Sequence, residues 1–159
     1  MVKKAALAFS GIAILVVDQA VKRYVLSHLA LGESIPVLPG IFHLTLVVNT
    51  GCAFGMFKTF SSTLFIGISV LAVSGLAFFV LRSRHVSFPA RFAAVLIGAG
   101  AFSNMVDRAR LGHVVDFIDL RVWPVFNLAD TAISTGVALL LLSYFIQKKE
   151  VRNDAPRSL

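Results

Sequence analysis

From Thr59 to Leu81 no position is charged, a run of 23 residues. At about 1.5 Å per residue this makes roughly 34 Å of helix, enough to cross a bilayer with some tilt. Three further apolar stretches fit the same role. Ala5 to about Leu26 is interrupted late by Asp18, Lys22 and Arg23, Pro89 to Val106 opens on a helix-compatible proline, and Thr131 to Gln147 stops at Lys148-Lys149. The pattern predicts an all-α membrane protein, a bundle of four transmembrane helices spanning about 5–26, 59–81, 89–106 and 131–147. Between the first two spans, Pro36, Pro39 and Gly40 break the chain. Ile41 to Val48 is rich in β-branched and aromatic residues, which predicts a strand, and Asn49-Thr50-Gly51 supplies turn chemistry before Ala53 to Phe57 turns apolar again. A small β-rich flap on the outer face is expected there. Residues 1–149 read as a single integral membrane domain and 150–159 as a polar, disordered cytoplasmic tail.

Composition agrees with this reading. The chain of 159 residues is 57% hydrophobic and 14% charged, with mean hydropathy +0.84, far from an ordinary soluble domain. Four spans put the N-terminus, the 82–91 connection and the C-terminus on one side, and that side carries the whole net charge of +7 while the other balances to zero. Lys and Arg mark cytoplasmic flanks, so the excess reports topology and not nucleic-acid binding. Lys3-Lys4 before an apolar run resembles a signal peptide, but Asp18 and Lys22 follow where a short polar region and cleavage site belong, so the segment is read as a retained span. The single cysteine, Cys52, excludes an intrachain disulfide and any multi-cysteine metal cluster.

Against this apolar background the acids are conspicuous. Four of the eight lie between Asn104 and Asp130: Asp107, Asp116, Asp119 and Asp130. An ionisable side chain at membrane depth costs roughly 2.5–3.5 kcal/mol on insertion scales, so a group of them is a functional-site hypothesis by default. Simpler readings stand beside it. Asp18 and Lys22, at i and i+4, suit an ion pair fixing the end of the first span. Asn104, Asp107 and Arg108 share one helix face and could satisfy each other. Asn127 followed by Asp130 is a helix-start pattern.

The chemistry open to such a cluster is acid–base hydrolysis. Two carboxylates within reach cannot both ionise easily and hold one proton jointly, so one can take a proton from water while the other protonates the carbonyl under attack. Asp116 and Asp130 are the best placed, one in the outer connection and one at the mouth of the next helix. No metal or other cofactor is expected: His28, His43, His85 and His113 show no zinc-protease spacing. No serine sits in a nucleophile-elbow setting, and a lone Cys52 among apolar residues reads as packing.

The residues also resemble a known family. Asp18-Gln19-Ala20-Val21-Lys22 is similar to D-Q-x-S/T-K, and Asn49-Thr50-Gly51-Cys52-Ala53-Phe54 to N-x-G-x-A-F. Asn104 to Arg108 and Gly112 to Phe117 resemble N-x-x-D-R followed by G-x-V-x-D-F. Phe126-Asn127-Leu128-Ala129-Asp130, with Ile133 and Gly136, resembles F-N-x-A-D-x-x-I-x-x-G. In this order along most of the chain, they identify it as a member of the lipoprotein signal peptidases (signal peptidase II), four-span aspartyl proteases of bacterial membranes. The resemblance implies Asp116 and Asp130 as the catalytic pair, with Asp18, Lys22, Asn49, Gly51, Asn104, Asp107, Arg108, Asn127 and Ala129 supporting the site or contacting substrate. It implies prolipoprotein substrates cut just before a diacylglyceryl cysteine, contact with membrane lipid, globomycin-type inhibitors, and a flap acting as a cradle. It further implies a multi-pass location in the bacterial inner membrane, with both termini cytoplasmic and the site near the outer face; a monomer is expected. Val21, Cys52 and Ser103 depart from the usual pattern. The rival reading is a small proton-coupled four-helix transporter, but transporters place coupling acids near the midplane and often show internal repeats. Here the acids collect at one edge and the halves are dissimilar.

Overall fold

The computed structural model describes residues 2–51, 62–82 and 86–154. Four long helices dominate: α1 (Val2–His28), α2 (Ser62–Arg82), α3 (Phe88–Leu111) and α4 (Leu128–Asp154). Each contains a stretch long and apolar enough to cross a membrane: Ala5–His28, Thr63–Val80, Phe88–Leu111 and Leu128–Gln147. Bulky apolar side chains such as Phe9, Leu71 and Phe78 lie two-thirds or more exposed on these helices. In water that would be unfavourable; for spanning helices it is the face presented to lipid. α4 runs to Asp154, five residues into the segment expected as a tail.

α3 opens with Pro89 in its first turn and ends at Gly112, whose positive φ of 79° lets its N–H bond back to Arg108 O. Helices α3 and α4 approach closely because two glycines remove side chains from the seam. A Cβ on Gly100 would meet Ala129 O, and one on Gly136 would lie 2.7 Å from Ile97 Cγ1. The first turn of α4 is thereby set directly against the middle of α3.

Three strands, β1 (Ser34–Leu38), β2 (Phe42–Asn49) and β3 (Val114–Asp119), form an antiparallel sheet in the order β1-β2-β3. The strand expected near 41–48 is present as β2. The flap was expected between the first two spans alone, but its third strand comes from the connection between α3 and α4, pairing Val47 with Asp116 and Asn49 with Val114. A register shift between Leu44 and Val47 bends β2 beside this pairing. Behind the sheet, Val25 and Leu29 of α1 pack with Leu46, Val115 and Phe117 into a small buried core. This core seats β3 on the end of the bundle. The apolar stretch Ala53 to Phe57 and Cys52 lie outside the described residues.

Candidate active site

Buried polar groups of α1, α3, β3 and α4 meet where the sheet rests on the bundle. Asp18 and Lys22 are one turn apart on the α1 face that also buries Val25, and both are almost wholly buried. Lys22 Nζ lies 2.7 Å from Asp18 Oδ2 and 2.7 Å from Asp107 Oδ2 of α3, and donates to Asn104 Oδ1 at 3.0 Å. The pair therefore does not merely finish a helix; it joins α1 to α3. Asp18 Oδ1 also accepts the Ala129 backbone N–H at 3.1 Å, satisfying one of the open donors at the start of α4. Asp107 Oδ2 accepts the Val115 N–H at 3.2 Å, tying α3 to β3. Asn104, Asp107 and Arg108 share a face, as expected. The bonds that fix them, however, run to other elements, because the packing of α1, β3 and α4 offers each a closer partner.

The start of α4 is a reciprocal cap. Asp130 N donates to Asn127 Oδ1 at 2.8 Å, and Asn127 N donates to Asp130 Oδ2 at 3.3 Å. The helix-start reading and a place in the site thus hold together. Asn127 Nδ2 donates to Asp116 Oδ1 at 2.7 Å, while Asn104 Nδ2 donates to Asp130 Oδ1 at 2.8 Å. Asn49 Nδ2 donates to the other Asp116 oxygen at 3.0 Å. Asp116 and Asp130 both line one cavity of about 930 Å3, which also presents Asn49, Gly51, Asn104 and Arg108. Asp107 does not line it, being enclosed by Lys22, Gln19 and Val115. The apolar wall comes from the 120–126 turn, with Trp123 and Phe126, and from Ile133 of α4. Arg108 donates to Gly51 O at 3.3 Å and sits 4.9 Å above the Phe65 ring of α2, holding the end of β2 near the cavity.

Burial out of water, followed by the neighbouring charge of Asp130, pushes Asp116 from its ordinary 3.8 up to about 7. A carboxyl so placed can hold a proton at neutral pH and act as an acid. Among the described residues no three His, Cys, Asp or Glu side chains converge as a metal-binding group.

Some participants were not foreseen. Gln19 Nε2 donates to Asp107 Oδ1 at 2.8 Å and to Ser103 Oγ at 3.0 Å, and Ser103 Oγ donates to Asp18 Oδ2 at 2.6 Å. Gln19 is itself a position of the Asp18 to Lys22 motif and Ser103 a departure from the usual pattern, signals that marked both residues without giving them a role. A second polar group lies at the far end of the sheet. Asp119 accepts from Thr45 Oγ1 at 2.7 Å and from the Arg121 N–H at 2.8 Å, and Arg121 reaches Ser34. This group pins the turn that carries Trp123, with Arg121 at a positive φ of 64°.

The sequence profile of the family described as signal peptidase (SPase) II matches residues 11–146. The chain belongs to the signal peptidase II family. Every candidate residue above, from Asp18 to Asp130, falls within the matched span. The lipoprotein signal peptidase of Halothermothrix orenii is 41% identical over 136 residues, covering 86% of this chain and 92% of that protein. The one from Pelotomaculum thermopropionicum is 45% identical over 129 residues, covering 80% and 83% respectively. Two solved bacterial membrane enzymes share the fold of this chain. The first has TM-score 0.85 at 26% identity, covering 98% of this chain and 94% of that one; the second has 0.79 at 28%, covering 88% and 92%. The protein is therefore a membrane protease that processes signal peptides.

Proposed function

We propose that this signal peptidase II is an aspartyl endopeptidase that removes the signal peptide from diacylglyceryl-modified prolipoproteins, cutting just before the lipidated cysteine. The observation that carries this reading is the pair Asp116 and Asp130, two carboxyls on one cavity with Asn104 and Asn127 bonded between them. The other matching residues serve as supports. Asp18, Lys22 and Asp107 fix the helices, and Ala129 anchors α4 to Asp18. Asn49, with Gly51 N–H donating to its Oδ1 at 3.1 Å, aims an amide at Asp116.

With one proton shared by the two carboxyls, the ionised member takes a proton from water as the water oxygen bonds to the scissile carbonyl carbon. The protonated member gives its proton to the carbonyl oxygen, and a neutral diol forms. Collapse returns a proton from the diol to one carboxylate while the other protonates the leaving nitrogen, and the C–N bond breaks. No covalent acyl intermediate arises. The apolar wall of Trp123, Phe126 and Ile133 suits a lipid-bearing substrate held by the bilayer. The excess of Lys and Arg on one side of the four spans supports both termini inside, in the bacterial inner membrane, and the cavity towards the outer face.

The test is the protein in nanodiscs with a lipidated pro-protein, an unlipidated copy and a chelator arm, with products read by mass. The expected result is a fragment beginning at the lipid-bearing cysteine from the lipidated form only, undiminished by chelator. Cleavage elsewhere, indifference to the lipid, or loss with chelator would overturn the reading.

A further inference from the structure

Three asparagines surround the acid pair, and a partner of unambiguous polarity fixes the orientation of each. Asn104 Oδ1 faces Lys22 Nζ, which can only donate, so its Nδ2 is turned to Asp130 Oδ1. Asn127 Oδ1 accepts the Asp130 N–H, so its Nδ2 is turned to Asp116 Oδ1. Asn49 Oδ1 accepts the Gly51 N–H, so its Nδ2 is turned to Asp116 Oδ2. Each carboxyl thus receives two N–H groups, and the number of donors does not distinguish them.

Their surroundings do. Asp130 is the third residue of α4, where the first-turn N–H groups and the helix dipole favour a negative charge. Its Asn104 donor is polarised by a buried ammonium bonded to the opposite end of the same amide. Asp116 lies within β3, and the oxygens of its donors Asn49 and Asn127 accept from the neutral backbone N–H groups of Gly51 and Asp130. Among the described residues, the other charged groups close to the pair are Asp18 on α1 and Asp107 and Arg108 on α3, while Asp119 of β3 is taken by Thr45 and Arg121. The first two are consumed by Lys22, and Arg108 lies on the Gly51 side of the cavity. β2 brings no titratable side chain to the pair; its His43 lies opposite Asp119 at the other end of the sheet.

We propose that the single proton of the pair resides on Asp116, and that Lys22, acting through Asn104, keeps Asp130 ionised as the base that draws the proton from water. The inference rests on the aspartyl-peptidase reading and adds direction to it. Asp130 takes the proton of water while the O–H of Asp116 passes to the carbonyl oxygen. In the collapse, Asp130 delivers its proton to the leaving nitrogen and Asp116 recovers one from the diol. Both carboxyls end the cycle as they began. The high retention of a proton by Asp116 agrees with its burial. Asp130 is then a catalytic residue, and Lys22 and Asn104 are positioning residues that act on its charge.

The test needs no turnover. Protonated-carboxyl absorption is followed by infrared difference spectroscopy across pH in Asp116→Asn and in Asp130→Asn, with the double Asn variant as baseline, so that each spectrum reports the one remaining acid. The band of Asp116, seen in Asp130→Asn, is expected to persist to higher pH than that of Asp130, seen in Asp116→Asn, by about one pH unit or more. Adding Lys22→Gln should raise the Asp130 band by more than the Asp116 band, narrowing the gap. Where Lys22→Gln does not fold, Asn104→Ala cuts the same link and leaves Lys22 with both its carboxylates; the gap should narrow again. Equal or reversed bands, or a gap unmoved by the folded Lys22 or Asn104 variant, would overturn the proposal. Cleavage by the wild-type protein tests the underlying reading separately, because the infrared result does not depend on substrate.

Discussion

Two pairs of carboxyls lie in adjacent clusters of the site, Asp130 half-buried and Asp18, Asp107 and Asp116 buried, and the pairs differ in one respect. Asp18 and Asp107 have Lys22 between them, at 2.7 Å from each, together with Ser103, Gln19 and two backbone N–H groups. The hydrogen bonds to Asp116 and Asp130 among the described residues come from neutral amides, and both acids line a cavity. A cation shared by two acids stores no proton and closes the gap between three helices. On the proposed reading, a pair of acids without a direct cation shares a proton, and a shared proton can be passed on. Structure and chemistry would then be divided between adjacent clusters by the placement of one lysine.

The largest expected effect comes from breaking the first pair. Lys22→Met leaves two buried carboxylates without a counter-charge and should destabilise the fold by roughly 3–5 kcal/mol, read as a lowered unfolding temperature in detergent. Adding Asp107→Asn to it should recover part of that loss. A variant as stable as the parent would mean that the cation does not hold α1 to α3.

A smaller effect of opposite sign follows for the second pair. Folding raises Asp116 from 3.8 to about 7, so between these values the folded protein keeps a proton that the unfolded chain has released. Stability from this group is therefore lost as pH rises through that window and is level above about 7. Asp116→Asn should remove the loss, leaving a variant more thermostable than the parent near neutral pH, with the gap closing as pH falls towards 3.8. Cleavage by the parent should weaken as pH rises above about 7, where Asp116 gives up its proton. A parent whose cleavage holds steady well above neutrality would contradict the shared proton.

The two clusters also differ in how far they could be read before folding. The uncharged run from Thr59 to Leu81 has few other uses than to span a bilayer, three shorter apolar runs completed the helix count, and Ile41 to Val48 announced β2. Asn127 and Asp130 carried a cap in their spacing, and that cap is real. What spacing could not carry was partnership across elements. β3 is a short strand whose apolar run is broken by Asp116, and it pairs with β2, which lies before α2 and α3 in the chain. Local pattern therefore left the flap with one connection where the fold uses two. Asn104, Asp107 and Arg108 looked self-sufficient on one helix face; only the packing of α1 and α4 against α3 shows that each is taken by another element. Gln19 and Ser103, uncharged, become significant only because α1 packs on α3, which sets Gln19 against Asp107 and Ser103 against Asp18.

The measurement closest to the central claim is single-turnover cleavage of a lipidated pro-protein by Asp116→Asn and by Asp130→Asn, each shown to be folded by its melting curve in the same preparation. Each should lose roughly 100- to 10,000-fold in rate while melting no lower than the parent in the Asp116 case. A folded variant of either kind that cleaves at the parental rate would contradict the account.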